Sequence, residues 1–146
     1  MNQPSLFVTG RDDSAIANID GGSRGNPGPA GYGVHIEQPD GTVTELKEFL
    51  GSCTNNVAEY NGLLAALRWA ADHGIRQLRV RSDSELLIKQ MRGEYRVKSA
   101  ALLPLYEDAR DMIRRIGKVT FEHVRREFNQ DADRLANEAM DEGASS

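Results

Sequence analysis

The chain has 146 residues, one cysteine and no hydrophobic run that approaches the roughly 20 residues of a membrane span. The single cysteine, Cys53, excludes an internal disulfide and favours a reducing compartment, and we expect it to serve packing. No basic-then-apolar leader precedes the first predicted strand, so we expect a cytoplasmic protein without membrane contact.

Several familiar active-site motifs are also missing. Three scattered histidines and one cysteine offer no zinc-like cluster. The glycine-rich stretch after Asp20 lacks the Gly-Lys-Ser/Thr of a P-loop, and Gly31-Tyr-Gly33 opens a strand instead of a helix. No serine stands on a Gly-x-Ser-x-Gly elbow. P-loop, dinucleotide-binding and serine-hydrolase chemistry are therefore unsupported.

The net charge of −4 opposes general affinity for nucleic acid, but the charge is segregated. Basic residues concentrate between Arg79 and Lys98, whereas the stretch from Asp131 to Glu142 carries five acids against Arg134 alone. A basic helix face is ordinarily solvated surface. A phosphate backbone can bind this chain only where such a local cluster overcomes the negative average.

The length and composition indicate one domain. The chain has a mass of 16.1 kDa, with 39% hydrophobic and 27% charged residues, which is ordinary for a globular protein. Residues 1–14 show no sustained period and predict a flexible N-terminal extension. The domain itself is predicted over residues 15–142, followed by a C-terminal tail over 143–146.

Hydrophobic periodicity predicts nine elements in the order β-β-β-α-β-α-α-β-α. The predicted strands are 15–19, 32–37, 42–50, 77–82 and 118–124, and the predicted helices are 55–73, 84–91, 101–116 and 130–141. An opening meander followed by strands that alternate with helices indicates an α/β fold, with a mixed sheet and helices packed on it.

Four carboxylates lie where α/β sheets form sites. Asp20 and Asp83 each follow a predicted strand, whereas Glu59 and Asp133 lie in the predicted first turns of helices. Carboxylates that converge repel one another unless cations neutralise them. Oxygen ligands of this kind select Mg²⁺ or Mn²⁺, so the four acids are candidate metal ligands.

Each acid also has a purely structural explanation. Asp20 precedes six glycines between Gly21 and Gly33, a composition typical of a tight hairpin turn. The motifs Asn56-x-x-Glu59 and Ser82-x-x-Glu85 both fit capping boxes. Asp133 suits the positive end of a helix dipole. Taken singly, the acids favour the structural interpretation, and only their combination favours a site.

Four stretches combine these acids with glycine, asparagine and serine: Asp20-Gly-Gly-Ser-Arg-Gly-Asn26-Pro-Gly-Pro-Ala-Gly, Thr54-Asn-Asn-Val-Ala-Glu59-Tyr, Arg81-Ser-Asp83-Ser-Glu-Leu and Asn129-Gln-Asp-Ala-Asp133-Arg-Leu-Ala. Together and in this order they resemble the type 1 ribonuclease H family, over about residues 15–140. The resemblance implies a ribonuclease H-like fold with a five-stranded mixed sheet and helices packed on both faces. It also implies an endonuclease that cuts the RNA strand of RNA/DNA hybrids.

The same resemblance implies roles for the acids. Asp20, Glu59, Asp83 and Asp133 are expected to be catalytic and to hold two divalent ions, Mg²⁺ with Mn²⁺ as the alternative. The expected mechanism is two-ion hydrolysis that leaves 5′-phosphate and 3′-hydroxyl ends. We expect the enzyme to be a monomer.

Substrate contacts are implied as well. Asn26, Asn55 and Asn56 are expected to touch the hybrid from its minor groove, where amides meet 2′-hydroxyls and base edges. Thr54 and Ser84 are weaker candidates for substrate binding. Turn and helix-cap roles are the alternative for the asparagines, and they do not exclude contact.

The chain departs from the usual bacterial pattern in two ways. No histidine stands in the loop before the last acid, and Arg126, seven residues before Asp133, is the predicted counterpart. A guanidinium suits that place because it stays protonated and binds phosphate oxygens in pairs, although a surface arginine is the alternative. The long basic protrusion is also missing, since residues 89–98 form only a short basic connection. We therefore expect weaker hybrid affinity.

Two other functions stay open. One is a non-catalytic module that binds hybrids and keeps the fold, which the intact set of four acids disfavours. The other is a related nuclease that acts on double-stranded RNA.

Overall fold

The structure, a computed structural model, describes residues 13–144. Its strands are β1 (Ala15–Ser23), β2 (Gly28–Glu37), β3 (Val43–Cys53), β4 (Gln77–Ser82) and β5 (Lys118–His123), and its helices are α1 (Asn55–Asp72), α2 (Glu85–Met91), α3 (Leu103–Ile116) and α4 (Gln130–Ala144). The element order is the predicted one. Most of the predicted N-terminal extension and the last two residues of the predicted tail lie outside the described residues.

The five strands form one mixed sheet in the order β3-β2-β1-β4-β5. β1 and β2 pair antiparallel, as do β2 and β3, whereas β4 lies parallel to β1 and β5 parallel to β4. Helix α1 packs on one face of β1 and β2, with α3 against it, and α4 packs on the other face across β1, β2 and β3. The predicted α/β fold with helices on both faces is confirmed.

The side chains of β1 divide between the two faces of the sheet. Ala15, Ala17 and Ile19 are fully buried in the core that α1 covers. Asn18 and Asp20 alternate with them, are only partly buried, and lie on the side of α4. The alternation that builds the core therefore also turns the Asp20 carboxylate toward the start of α4.

Strand β1 is longer than predicted. The prediction ended it at Ile19 and placed Asp20 at the mouth of a turn, which is wrong. β1 continues to Ser23, because it pairs with β2 as far as Ser23 opposite Ala30, and only residues 24–27 form the turn. Gly21 serves helix packing here, because a Cβ at this position would lie 2.5 Å from backbone atoms of α1.

Gly33→Ala is expected to destabilise the fold strongly. An added Cβ would lie 2.5 Å from the Ala132 carbonyl oxygen in α4, and backbone cannot yield as a flexible side chain can. We expect a loss of roughly 2–3 kcal/mol in the free energy of unfolding, measured by urea denaturation. Gly22→Ala is the control, since its nearest atom lies at 3.7 Å. Equal losses in the two variants would contradict the packing role.

Neither predicted capping box forms, at Asn56-x-x-Glu59 or at Ser82-x-x-Glu85. Helix α1 is capped by Thr54, whose hydroxyl accepts a hydrogen bond of 3.2 Å from the backbone N–H three residues later. Ser84 caps α2 in the same way. Glu59 is the fifth residue of α1, so its predicted place in the first turn is wrong. Its carboxylate therefore has no capping role.

Helix α3 begins later than predicted, and helix α4 ends later than predicted. α3 begins at Leu103, two residues late, with Pro104 in its first turn, where a missing N–H costs nothing. α4 continues to Ala144, two residues into the predicted tail, and Gly143 packs directly against the Phe49 ring of β3. Among the described helices, none combines the length and the apolar character needed to cross a bilayer.

Candidate active site

Three carboxylates come together at one end of the sheet. Asp20, Glu59 and Asp83 each offer one oxygen, and these three oxygens lie within 4.8 Å of one another. β1 supplies Asp20, and β4, its parallel neighbour, ends directly before Asp83. Helix α1 brings Glu59 over the same end. Parallel neighbouring strands share their carboxyl end, so the topology itself places these acids together.

Asp133 joins the group from α4. It lies in the first turn of that helix, about one third of its side chain is exposed, and its carboxylate is near enough to that of Asp20 to help raise the pKa of Asp20. A cavity of about 340 Å³ opens beside Asp20, Asp83 and Asp133. The structure thus brings together all four acids that the sequence singled out.

Burial and mutual repulsion raise the pKa of these acids. The pKa of Asp20 rises to about 8, first through burial and then through the like charge of Asp83 and the other acids. Burial also raises the pKa of Glu59 to about 7, although a hydrogen bond from the Ser84 hydroxyl opposes the rise. At neutral pH these carboxylates cannot all ionise unless a cation compensates them.

The donor set fits divalent ions that bind through oxygen. The cluster offers carboxylates alone, the ligands that Mg²⁺ and Mn²⁺ prefer. A second group with similar spacing consists of His35, Glu45 and Asp131. Its Glu45 carboxylate is already paired with a positive charge, because an Arg134 nitrogen lies 2.6 Å from Glu45 Oε2. Among residues 13–144, the acids around Asp20 are therefore the better candidate for a metal site.

Arg126 approaches the acids from a short 3₁₀ turn, Arg126–Phe128. Its Nη2 atom lies 3.6 Å from Asp133 Oδ1, and 78% of its side chain is exposed. Burial raises the pKa of Asp83, and the Arg126 charge opposes that rise. The guanidinium therefore lines the cavity while most of its surface faces solvent.

Of the predicted substrate contacts, Asn55 lines the cavity, and Asn26, Thr54 and Asn56 lie next to it and form a rim with it. Asn26 Oδ1 accepts a hydrogen bond of 3.0 Å from the Asn55 backbone N–H, and Asn55 Oδ1 accepts one of 2.7 Å from the Ser23 N–H. With Thr54 as the cap of α1, the turn and cap roles expected as the alternative are thus present. Asn56 is exposed, and its side chain has no hydrogen-bond partner among the described residues. Its amide is free to meet a ligand.

Many of the basic residues between Arg79 and Lys98 are paired with groups of the protein itself. Arg79 and Arg81 pair with the same acid, Glu122, at 2.8 and 3.1 Å. Arg96 and Lys98 are exposed and have no ion-pair partner within the described part of the chain. Only a small part of the cluster is therefore available to a phosphate backbone, as expected for a chain without a long protrusion.

One residue near the site received no role from the sequence. Asn129 is 1% exposed, its Nδ2 donates to the Ile19 carbonyl oxygen at 2.9 Å, and its Oδ1 accepts from Asn18 at 3.0 Å. An asparagine directly before a helix is typical of a cap. Nothing in the local sequence could therefore reveal contacts with a strand 110 residues away.

Known proteins match nearly all of this chain. A family model described as reverse transcriptase-like matches residues 18–139. A bifunctional protein of Mycobacterium tuberculosis is 45% identical over 133 residues, which cover 90% of this chain and 36% of that protein. A ribonuclease HI of Halobacterium salinarum is 42% identical over 127 residues, which cover 86% of this chain and 64% of that protein. The chain thus spans less than two thirds of the length of either relative.

Solved structures agree with the fold. The N-terminal RNase H domain of the M. tuberculosis protein, fused to maltose-binding protein, has a TM-score of 0.87 at 45% identity and covers 92% of this chain and 98% of its own. RNase H1 of H. salinarum has a TM-score of 0.84 at 40% identity, covering 88% and 98%. LC11-RNase H1 in complex with an RNA/DNA hybrid, from a compost metagenome, has a TM-score of 0.84 at 39% identity, covering 90% and 99%. With the same fold and this level of identity along nearly its whole length, the chain belongs to the type 1 ribonuclease H family.

Proposed function

We propose that this protein is an endoribonuclease that hydrolyses the RNA strand of RNA/DNA hybrids and leaves 5′-phosphate and 3′-hydroxyl ends. The observation that carries the proposal is the group of three carboxylate oxygens within 4.8 Å, with Asp133 beside Asp20 and Asp83 at the same cavity. Similarity to a known protein supports the choice of substrate, since the structure of a similar RNase H1 was solved in complex with an RNA/DNA hybrid.

Asp20, Glu59, Asp83 and Asp133 would hold two divalent ions, Mg²⁺ or Mn²⁺. When bound, such ions lower the pKa of the attacking water and offset the charge that develops on the leaving 3′ oxygen. Asp20 is the central ligand in this proposal, because each of the other three acids is near enough to raise its pKa. The Ser84 hydroxyl, bonded to Glu59, fixes the direction of that carboxylate.

The neighbouring residues would bind the hybrid. Arg126 contacts phosphate oxygens at the mouth of the cavity, where its exposed guanidinium can form paired hydrogen bonds. The minor groove of the hybrid would be contacted by the amides of Asn26, Asn55 and Asn56. In that groove, 2′-hydroxyls distinguish the RNA strand from the DNA strand. Hydrogen bonds within this rim hold the Asn26 and Asn55 amides in place before the substrate arrives.

Arg126→Ala is expected to lower kcat by roughly 10–100-fold, the scale of losing one supporting electrostatic contact. The melting temperature should stay unchanged because the side chain is largely exposed. Arg125→Ala is a matched control, since Arg125 is equally exposed and pairs with Glu127 at 2.9 Å. Steady-state cleavage at saturating hybrid measures both variants. An unaltered kcat in Arg126→Ala would make Arg126 an ordinary surface residue.

Gel analysis of a hybrid labelled on each strand in turn tests the proposed function. We expect RNA fragments in Mg²⁺ or Mn²⁺, none in EDTA, and an intact DNA strand under all conditions. Parallel arms contain labelled RNA duplex and DNA duplex. Hybrid binding without cleavage in either ion would contradict the proposal and indicate a binding module, and equal cleavage of the RNA duplex would indicate a broader nuclease. Action on double-stranded RNA, the monomeric state and a cytoplasmic location stay predictions.

A further inference from the structure

We propose that Asn129 is a positioning residue that fixes Asp133 against Asp20 and thereby sets the affinity of the site for divalent ions. The inference rests on the proposed function, because it takes the four acids as the ligands.

The connection that carries Arg126 and leads to α4 has one buried anchor. Of residues 122–131, Asn129 is the only buried one, and Phe128 beside it is 64% exposed. No apolar side chain of this segment reaches the core, so packing alone does not hold the segment in place. The position of the segment therefore depends on polar contacts.

The Asn129 side chain supplies those contacts. It donates to the Ile19 carbonyl oxygen at 2.9 Å, in the residue directly before Asp20, and accepts from Asn18 at 3.0 Å. Its own backbone carbonyl accepts a hydrogen bond of 3.1 Å from the Asp133 N–H. One residue thus joins the strand that carries the first acid to the helix turn that carries the fourth.

The chemistry of these contacts makes them hard to replace. Removal of a buried amide leaves its partners unsatisfied, and here the Ile19 carbonyl would lose its side-chain partner. Without the link, the first turn of α4 can move relative to β1. Partners that orient metal ligands typically contribute 10–100-fold to metal affinity. We expect an effect of that size from Asn129.

The test compares three variants of the full chain by calorimetric titration of the metal-free protein with Mn²⁺ at pH 8. Asn129→Ala removes both side-chain bonds and is expected to weaken Mn²⁺ binding by roughly 10–100-fold. Asn18→Ala removes one bond at a partly exposed position and is expected to weaken binding less. Gln90→Leu is the matched control, because Gln90 is also a buried amide, and it accepts a 2.7 Å bond from the Tyr60 hydroxyl.

Amide hydrogen exchange at Asp133 in metal-free protein supplies a second readout. We expect faster exchange in Asn129→Ala and parent-like exchange in Gln90→Leu. A Mn²⁺ affinity within twofold of the parent in both asparagine variants would overturn the proposal, as would equal weakening in Gln90→Leu. If Asn129→Ala fails to fold, the graded effect of Asn18→Ala decides. A parent protein that binds no Mn²⁺ would instead contradict the proposed function, whereas the exchange data would still test the positioning of Asp133.

Discussion

Asp20→Asn is expected to abolish hybrid cleavage, with a loss on the order of 10³-fold or more, and at the same time to raise the thermal stability of the metal-free protein at pH 8. Asp20 lies among three other acids, and burial together with the charge of those acids raises its pKa to about 8. An amide of the same shape removes the repulsion and the desolvated charge, and it also removes the central candidate ligand. Opposite effects on stability and on activity are typical of a functional site.

Two measurements check this expectation together. Strand-specific cleavage in Mg²⁺ gives the activity, and the melting temperature in EDTA gives the stability. Asp108→Asn is the control, since Asp108 is an exposed acid of α3, and we expect neither quantity to change. Full activity in Asp20→Asn would contradict the catalytic role. A lower melting temperature would contradict the claim that Asp20 is electrostatically strained.

Metal-free protein is expected to lose stability as the pH rises from 5 to 8, and Mg²⁺ is expected to restore that stability mainly at the upper end. The pKa of Asp20 rises from an ordinary 3.8 to about 8, and that of Glu59 from 4.5 to about 7. The folded state therefore keeps protons that the unfolded state releases. Stability that is present below pH 4 is lost as the pH rises through 7 and 8.

Acids whose pKa is lowered in the folded protein affect its stability in a different pH range. Hydrogen bonds and nearby cations lower the pKa of Glu45 and Glu138, so their contribution is lost only below about pH 4.5. Between pH 5 and 8 the acids of the candidate site therefore dominate the change of stability with pH. Divalent ions bind deprotonated carboxylates, so protons compete with them at low pH.

Melting temperatures in EDTA and in Mg²⁺, taken at pH 5, 6.5 and 8, test this account. We expect Mg²⁺ to raise the melting temperature by at least about 5 °C at pH 8 and by much less at pH 5. Glu59→Gln should flatten the slope in EDTA, because it removes one of the two strongly shifted groups. A melting temperature that rises with pH in EDTA, or an equal Mg²⁺ shift at both ends, would contradict the electrostatic account.

The sequence predicts the secondary structure well wherever one local pattern dominates. The bounds of β4 agree with the prediction at both ends, because the apolar residues Leu78 and Val80 alternate with arginines and an acid follows the strand. The end of β1 was predicted wrongly because its glycines are typical of turns. Pairing with β2 overrides that preference, and Gly21 and Gly33 are needed where α1 and α4 approach the sheet. Local propensity cannot anticipate a requirement that a helix from elsewhere in the chain imposes.

The candidate site was predictable to a similar extent. The convergence of Asp20 and Asp83 follows from a topology rule, since neighbouring parallel strands share an end. The hydrogen-bonding role of Ser84 toward Glu59 did not follow, because it depends on how α2 meets α1. Asn129 was missed for the same reason: its partners lie 110 and 111 positions away. Ligand types can be inferred from sequence spacing, whereas the residues that orient those ligands depend on tertiary contacts.

Anomalous diffraction from crystals grown with Mn²⁺ and a cleavage-resistant RNA/DNA hybrid tests the central claim most directly. We expect two Mn²⁺ peaks among the carboxylates of Asp20, Glu59, Asp83 and Asp133, with the RNA strand over them and the Arg126 guanidinium at its phosphate. Peaks elsewhere on the protein, or a hybrid bound with no ion between these four acids, would contradict it.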